Sequence, residues 1–242
     1  MRILVISDIH ANLAAFEAVL EDAGGNWDLI WCLGDVVGYG PSPNECADLL
    51  RQHEHVSLTG NHDWAVLGKL DVNSFNREAR AAILWTREAL SEDTRQYLLA
   101  LPATTVEKRF TLAHGSPRQP IWEYILDEPT ASVNFAHFDT AHCLVGHTHM
   151  PVIFEEVEEF HSRAHAPVYD EPLALQGRRL IINPGSVGQP RDSDPRAAYG
   201  ILDTEAMTWQ HCRVPYPIEV TQDRMREHRL PHRLIARLEM GW

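Results

Sequence analysis

The chain has 242 residues, 44% of them hydrophobic and 23% charged, the balance of a globular protein with a substantial core rather than of a disordered one. With 21 Lys and Arg against 34 Asp and Glu, its net charge of −13 repels polyanions and argues against nucleic acid as a partner, while leaving room for a local positive pocket. No apolar stretch reaches the length of a membrane span and the N-terminus lacks the layout of a signal peptide, so a cytoplasmic setting without membrane contact is expected.

From the N-terminus, Ile3 to Ile6 is a continuous apolar run, as in a strand buried on both faces. Leu13, Phe16, Val19, Leu20 and Ala23 recur at helical spacing, and Gly24-Gly25 closes that helix. Leu29 to Leu33 predicts a second strand. Ser42-Pro43-Asn44-Glu45 has the form of a capping box with Pro at the first helical position, and predicts a helix through about Arg51. His55 to Leu58 reads as a short third strand. This alternation calls for parallel strands joined by right-handed crossovers. Helical patterns follow at Asn76 to Leu90 and Glu92 to Leu101, then strands at Thr105 to Val106, Phe110 to Ala113 and His142 to Val145.

Beyond Pro151 the texture changes to short apolar runs separated by turns: Val152 to Val157, Leu180 to Ile182, Ala198 to Leu202 and Thr208 to Val214. These predict a more antiparallel second sheet. Ile218 to Arg237 reads as a packed amphipathic helix with a solvated basic face. No repeat or linker divides the chain, so one domain over residues 1–242 is expected, with two packed sheets and outer helices. Cys32, Cys46, Cys143 and Cys212 are scattered without Cys-x-x-Cys spacing, which predicts reduced core thiols.

Five segments stand out because each falls at the C-terminal end of a predicted strand: Asp8-Ile9-His10, Gly34-Asp35, Gly60-Asn61-His62-Asp63, His114-Gly115 and Gly146-His147-Thr148-His149. In open α/β sheets that edge is where ligand sites assemble. Setting His62 aside, they offer two carboxylates, one amide and four imidazoles. That set exceeds one tetrahedral zinc and suits two octahedral or five-coordinate ions sharing a bridge. Mixed nitrogen and oxygen donors favour Mn, Fe, Zn, Ni or Co over Ca or Mg. Two divalent ions, two carboxylates and a bridging hydroxide leave the centre positive by about one charge, which attracts phosphate inside an acidic protein. Singly, each piece has an ordinary reading: a turn, a cap, an Asx-turn at Asn61 or a polar strand edge. Their occurrence in order, all at strand ends, is what points to metal. His53, His55, His137, His161, His165, His211, His228 and His232 lack such context and read as exposed or packed.

Together these segments resemble the full motif series of the calcineurin-like metallophosphoesterases over residues 1 to 150. Asn183-Pro184-Gly185-Ser186-Val187-Gly188 resembles a loop of the smaller bacterial and archaeal members. The resemblance implies a four-layer α-β-β-α sandwich with two mixed β-sheets flanked by helices. It implies that Asp8, His10, Asp35 and His149 hold one metal, that Asp35, Asn61, His114 and His147 hold the other, and that Asp35 bridges. It further implies that His62 hydrogen-bonds the phosphate and protonates the leaving oxygen, with Asp63 able to orient its ring. The protein serine/threonine phosphatases of this superfamily follow Gly-Asp with an Arg-containing segment and later carry Asn-His-Glu. Here Asp35 leads into Val36-Val37-Gly38-Tyr39 and His62 is followed by Asp63, which puts phosphoprotein activity in doubt. Arg118 and Arg191, in Pro-rich turns, are candidate phosphate clamps or plain surface arginines. The function expected is hydrolysis of a small phosphate mono- or diester, nucleotides included, by a metal-activated hydroxide. The alternative is a non-catalytic metal-binding interaction module on the same fold, which the complete ligand set and His62 disfavour.

Overall fold

In a computed structural model covering Met1–Trp242, the chain runs through twelve strands and eight α-helices. In order these are β1 (Arg2–Ile6), α1 (Leu13–Asp22), β2 (Leu29–Cys32), α2 (Pro43–Arg51), β3 (His55–Ser57), α3 (Asn61–Val66), α4 (Arg77–Ala89), α5 (Glu92–Ala100), β4 (Thr104–Glu107), β5 (Phe110–Ala113), α6 (Glu128–Asn134), β6 (His142–Leu144), β7 (Val152–Glu158), β8 (His161–His165), β9 (Leu173–Ala174), β10 (Leu180–Asn183), β11 (Ala197–Asp203), β12 (Thr208–Val214), α7 (Ile218–Glu227) and α8 (His232–Met240). One six-stranded sheet has the order β3-β2-β1-β11-β12-β9 and the other β4-β5-β6-β10-β7-β8. Both are mixed: β1, β2 and β3 are parallel, as are β5, β6 and β10, and the remaining neighbours are antiparallel.

The two-residue period of a strand explains the layering. In β1, Ile3 and Val5 point between the sheets, where they meet Trp31, Leu112, Leu144, Leu180, Ile182 and Trp209. Leu4 and Ile6 point the other way, into a core shared with Phe16 and Val19 of α1 and Ala47 and Leu50 of α2. On the far side of the second sheet, Cys143, Phe154 and Ile181 pack under Ala131 of α6 and the neighbouring Phe135. Helices therefore flank two facing sheets, the α-β-β-α sandwich expected. All four cysteines are free and buried, and no helix is long and apolar enough to cross a membrane.

Two local expectations fail for physical reasons. The Ser42 side chain makes no capping bond; the residue is buried, its amide donates to the Ala11 carbonyl, and Pro43 alone presets the helical start. The C-terminal segment is two helices rather than one. Pro231 lacks an N–H and disfavours helical backbone at Leu230, so α7 ends before it and α8 begins after it.

Candidate active site

The C-terminal ends of the two parallel strand sets meet at one rim, and the loops leaving them are stitched together by backbone bonds. The Asp8 amide donates to Gly34 O, the Gly146 amide to His114 O, and the Val187 and Gly188 amides to Ser7 O and Asp8 O. Close packing explains the glycines. A Cβ on Gly60 would fall on Asp35 Oδ1, and one on Gly34, whose φ is +100°, would lie 2.9 Å from His114 Nδ1. Asp8, His10, Asp35, His147 and His149 all hold left-handed backbone, with φ of 53°, 48°, 53°, 65° and 61°. For non-glycine residues that conformation is unfavourable and typical of functional sites.

The rim gathers all seven predicted donors into two buried groups. Asp8, His10 and His149 form one, and Asp35, His114 and His147 the other; within each, the donor atoms lie within 4.8 Å of one another. Asn61 joins the second group, its Oδ1 lying 3.1 Å from His114 Nε2.

Each carboxylate has one oxygen committed and one left over. Asp8 Oδ2 accepts from Ser7 Oγ (2.6 Å) and the His147 amide (3.0 Å), and Asp35 Oδ1 accepts from the His62 amide (2.8 Å). Asp8 Oδ1 and Asp35 Oδ2 are buried without a hydrogen-bond partner, and so is His147 Nε2. The imidazoles are held the same way. His10 Nδ1 donates to Val37 O, His114 Nδ1 to Leu33 O and His149 Nδ1 to Gln189 O. That fixes the tautomer and aims each Nε2 lone pair inward. His10 Nε2 then faces His149 Nε2 at 3.1 Å, and His114 Nε2 faces the Asn61 carbonyl oxygen. Converging lone pairs and orphaned carboxylate oxygens repel unless a cation lies between them, so this donor set fits metal ions.

Charge agrees with the geometry. Burial alone would raise Asp8 and Asp35, but His149 beside the first and His114 beside the second hold both below the usual carboxylate range. Burial pushes His10 and His149 down, and burial with His114 takes His147 to about 3, which keeps these rings neutral and able to ligate. His114 is the exception. Burial lowers it, yet Asp35 and Asp8 outweigh that and lift it to about 9, a proton occupying the lone pair that a metal would take.

The candidates outside the ligand set land differently. His62 is the second residue of α3, buried, its ring 4.9 Å from that of His10 and 4.2 Å from that of Tyr39, with Nδ1 unpartnered. Burial, opposed by Asp35 and reinforced by Arg191, brings it down to about 4. Asp63 does not reach that ring. Its carboxylate accepts from the Gly60, Val36 and Val37 amides, tying the Asp35 loop to the start of α3, so it acts on His62 only through the backbone. Arg118 is turned to Glu123 in an ion pair and is not a free clamp. Arg191 has no carboxylate partner; its guanidinium contacts Gln189 Oε1 at 2.9 Å and lies over the Tyr39 ring, with Nε buried and unpaired.

Sequence reasoning missed the supports. Ser186 Oγ donates to Asp8 O and accepts from the Gln189 amide, which sets Gln189 O against His149. Asn183 Nδ2 donates to Gly146 O and Thr148 Oγ1. The Asn183 to Gly188 loop was visible as a motif, but its role depends on β10 ending at the same rim as β6.

Comparison with known proteins places the chain in a family. Residues 1–207 match the model of the calcineurin-like phosphoesterase superfamily domain. An uncharacterized protein of Methanocaldococcus jannaschii is 39% identical over 246 residues, covering 99% of this chain and 98% of that protein. The phosphodiesterase YfcE of Escherichia coli K12 is 28% identical over 229 residues, 86% of this chain and 90% of its own. The crystal structure of a metallophosphoesterase from Sphaerobacter thermophilus superposes with a TM-score of 0.92 at 50% identity, covering 100% of this chain and 99% of that one. Fold, site and match together make the chain a member of the calcineurin-like phosphoesterase superfamily, a metal-dependent phosphoric ester hydrolase.

Proposed function

We propose that this hydrolase works with two metal ions on small phosphate esters, within a single catalytic domain spanning residues 1–242. The observation that carries the dinuclear reading is Asp35 Oδ2. Buried and unpartnered, it lies 3.6 Å from His10 Nε2 of one group and 3.4 Å from His114 Nε2 of the other, the position of a shared ligand. Asp8, His10, Asp35 and His149 would hold one ion, and Asp35, Asn61, His114 and His147 the second. Bound there, Mn, Fe, Zn, Ni or Co ions would polarise phosphoryl oxygens and lower the pKa of water.

The chain's own groups then have distinct tasks. Arg191, without a carboxylate partner, neutralises phosphate charge. The neutral His62 ring faces the same space, and an arriving phosphate is the charge that would raise its proton affinity and let it serve the leaving oxygen. Ser7, Ser186 and the Leu33, Val37 and Gln189 carbonyls keep the ligands aimed. The E. coli relative is named a phosphodiesterase, which makes diesters the first class to assay. Four buried free thiols suit a reducing, cytoplasmic setting.

The test is metal analysis with anomalous diffraction of metal-soaked crystals, alongside a panel of phosphomonoesters, phosphodiesters and nucleotides with several divalent metals. Two ions about 3.5–4 Å apart are expected. A single tetrahedral ion at saturating metal would overturn the dinuclear reading.

A further inference from the structure

Between β5 and α6 the chain passes the metal rim as a strip that leaves a turn at Pro120–Trp122 and runs on without regular structure, its side chains alternating between buried and open. Ile121 and Ile125 are buried, while Trp122, Tyr124 and Leu126 point outward, 39%, 45% and 59% exposed. Glu123, turned inward, locks the strip in place. Its carboxylate accepts from Ser116 Oγ at 2.6 Å and Asn134 Nδ2 at 2.8 Å, and pairs with Arg118. These three contacts hold the strip in place and occupy Arg118.

What the strip presents is aromatic and sits against the centre. Tyr124 stacks on the ligand His147 with ring centroids 3.8 Å apart and 29° between planes. Trp122 lies 6.3 Å from the same imidazole and meets Phe75 edge-on at 5.1 Å; Phe75 in turn touches His62. Two large flat side chains are thus left open to solvent beside a cation-binding, anion-seeking site. Exposed aromatics held rigidly cost hydration free energy and recur where flat groups are stacked.

We infer that Trp122 and Tyr124 form a stacking platform for a nucleobase attached to the phosphate received at the metal rim. This rests on the phosphate-ester reading above and narrows it to nucleotides. A bulky aliphatic group or a sugar would gain area there but no face-to-face π contact.

Adenosine 5′-monophosphate and ribose 5-phosphate differ only in the base, so they separate the platform from the phosphate site. Their dissociation constants (or KM where turnover occurs) would be measured on Mn²⁺-loaded wild type, Trp122→Ala and Trp122→Phe. Trp122 is the cleaner probe, because Tyr124 also backs a ligand. Wild type should prefer the nucleotide by about 5- to 150-fold. Trp122→Ala should pull that ratio toward one with ribose 5-phosphate unchanged, and Trp122→Phe should restore most of it. Equal affinities in wild type, or a ratio indifferent to Trp122→Ala, would overturn the platform alone. If neither phosphate binds, the phosphate site itself fails and the platform with it.

Discussion

The inter-sheet core and the rim directly above it are built from the same strands and obey opposite rules. In the core, Ile3, Val5, Trp31, Leu144 and Leu180 are fully buried, extended and apolar. A few residues further along, five of the seven candidate ligands adopt left-handed backbone and two carboxylate oxygens are buried without partners. Left-handed non-glycine residues cost about 1–3 kcal/mol each where the surroundings over-determine them. The rim would not hold that geometry alone; the core below fixes it, and the proposed cations would complete it. Stability and function are therefore separable by position along a single strand.

The largest expected effect comes from the atom that joins the two ligand groups. On the proposed bridge, Asp35→Asn would put a neutral amide in place of a carboxylate shared by two cations, so both ions should bind more weakly. With each metal worth several kcal/mol in the transition state, activity should fall by about 10⁵-fold or more at limiting Mn²⁺. Asp8→Asn should weaken chiefly one site. Calorimetric titration separates the two outcomes, and undiminished two-site binding by Asp35→Asn would refute the bridge.

Next comes a rim residue that touches no metal. His62→Gln should retain both ions and the fold yet lose about 10²–10⁴-fold in turnover, the usual worth of acid–base assistance. Alkyl esters should suffer more than p-nitrophenyl esters, whose leaving group departs without a proton. Equal losses on both substrates would assign His62 to phosphate positioning instead.

The core side of the comparison is tested by Leu180→Ala. Leu180 is wholly buried on β10, and the cavity should cost about 2–5 kcal/mol in urea unfolding. Metal stoichiometry should stay at two. Loss of an ion in this variant would mean that rim and core are not separable.

How much of this was legible beforehand follows the same division. The strands announced themselves through apolar runs, and the seven ligands through their place just after those runs, because both signals are local in sequence. The supports were not local. Asp63 was expected to orient the His62 ring, but its carboxylate is captured by the Val36 and Val37 amides of the Asp35 loop and by the Gly60 amide before α3, contacts set by how β2 and β3 lie side by side. Gln189 and Ser186 act on His149 and Asp8 across 40 and 178 residues of sequence, and nothing in their neighbours' identities says so. Short helices such as α6 were missed because seven residues carry too little periodicity to register.

His211 offers the smallest effect and the finest test, because it sits below the rim yet is polar. Sequence grouped it with histidines of no special context; in the fold it is buried, its Nδ1 accepting from Trp209 Nε1 and its Nε2 donating to Asn183 O, both at 2.9 Å. An indole only donates and a carbonyl only accepts, so the ring must be neutral. Burial, with Arg213 nearby and against the Asn183 bond, lowers it to about 4. The unfolded chain therefore takes up this proton first as pH falls. The associated stability is intact above the unfolded value near 6.5 and is lost as pH drops through that value toward 4. Gln can accept from Trp209 and donate to Asn183 without titrating. His211→Gln should thus match wild type within about 1 kcal/mol at pH 8, and should lose about 2 kcal/mol less than wild type between pH 8 and pH 5. Urea unfolding of both proteins at the two pH values gives that difference directly, with the shared titration of the metal ligands cancelling. An identical pH dependence in the two proteins would mean that His211 takes up its proton as readily folded as unfolded, and that burial between Trp209 and Asn183 does not hold the ring neutral.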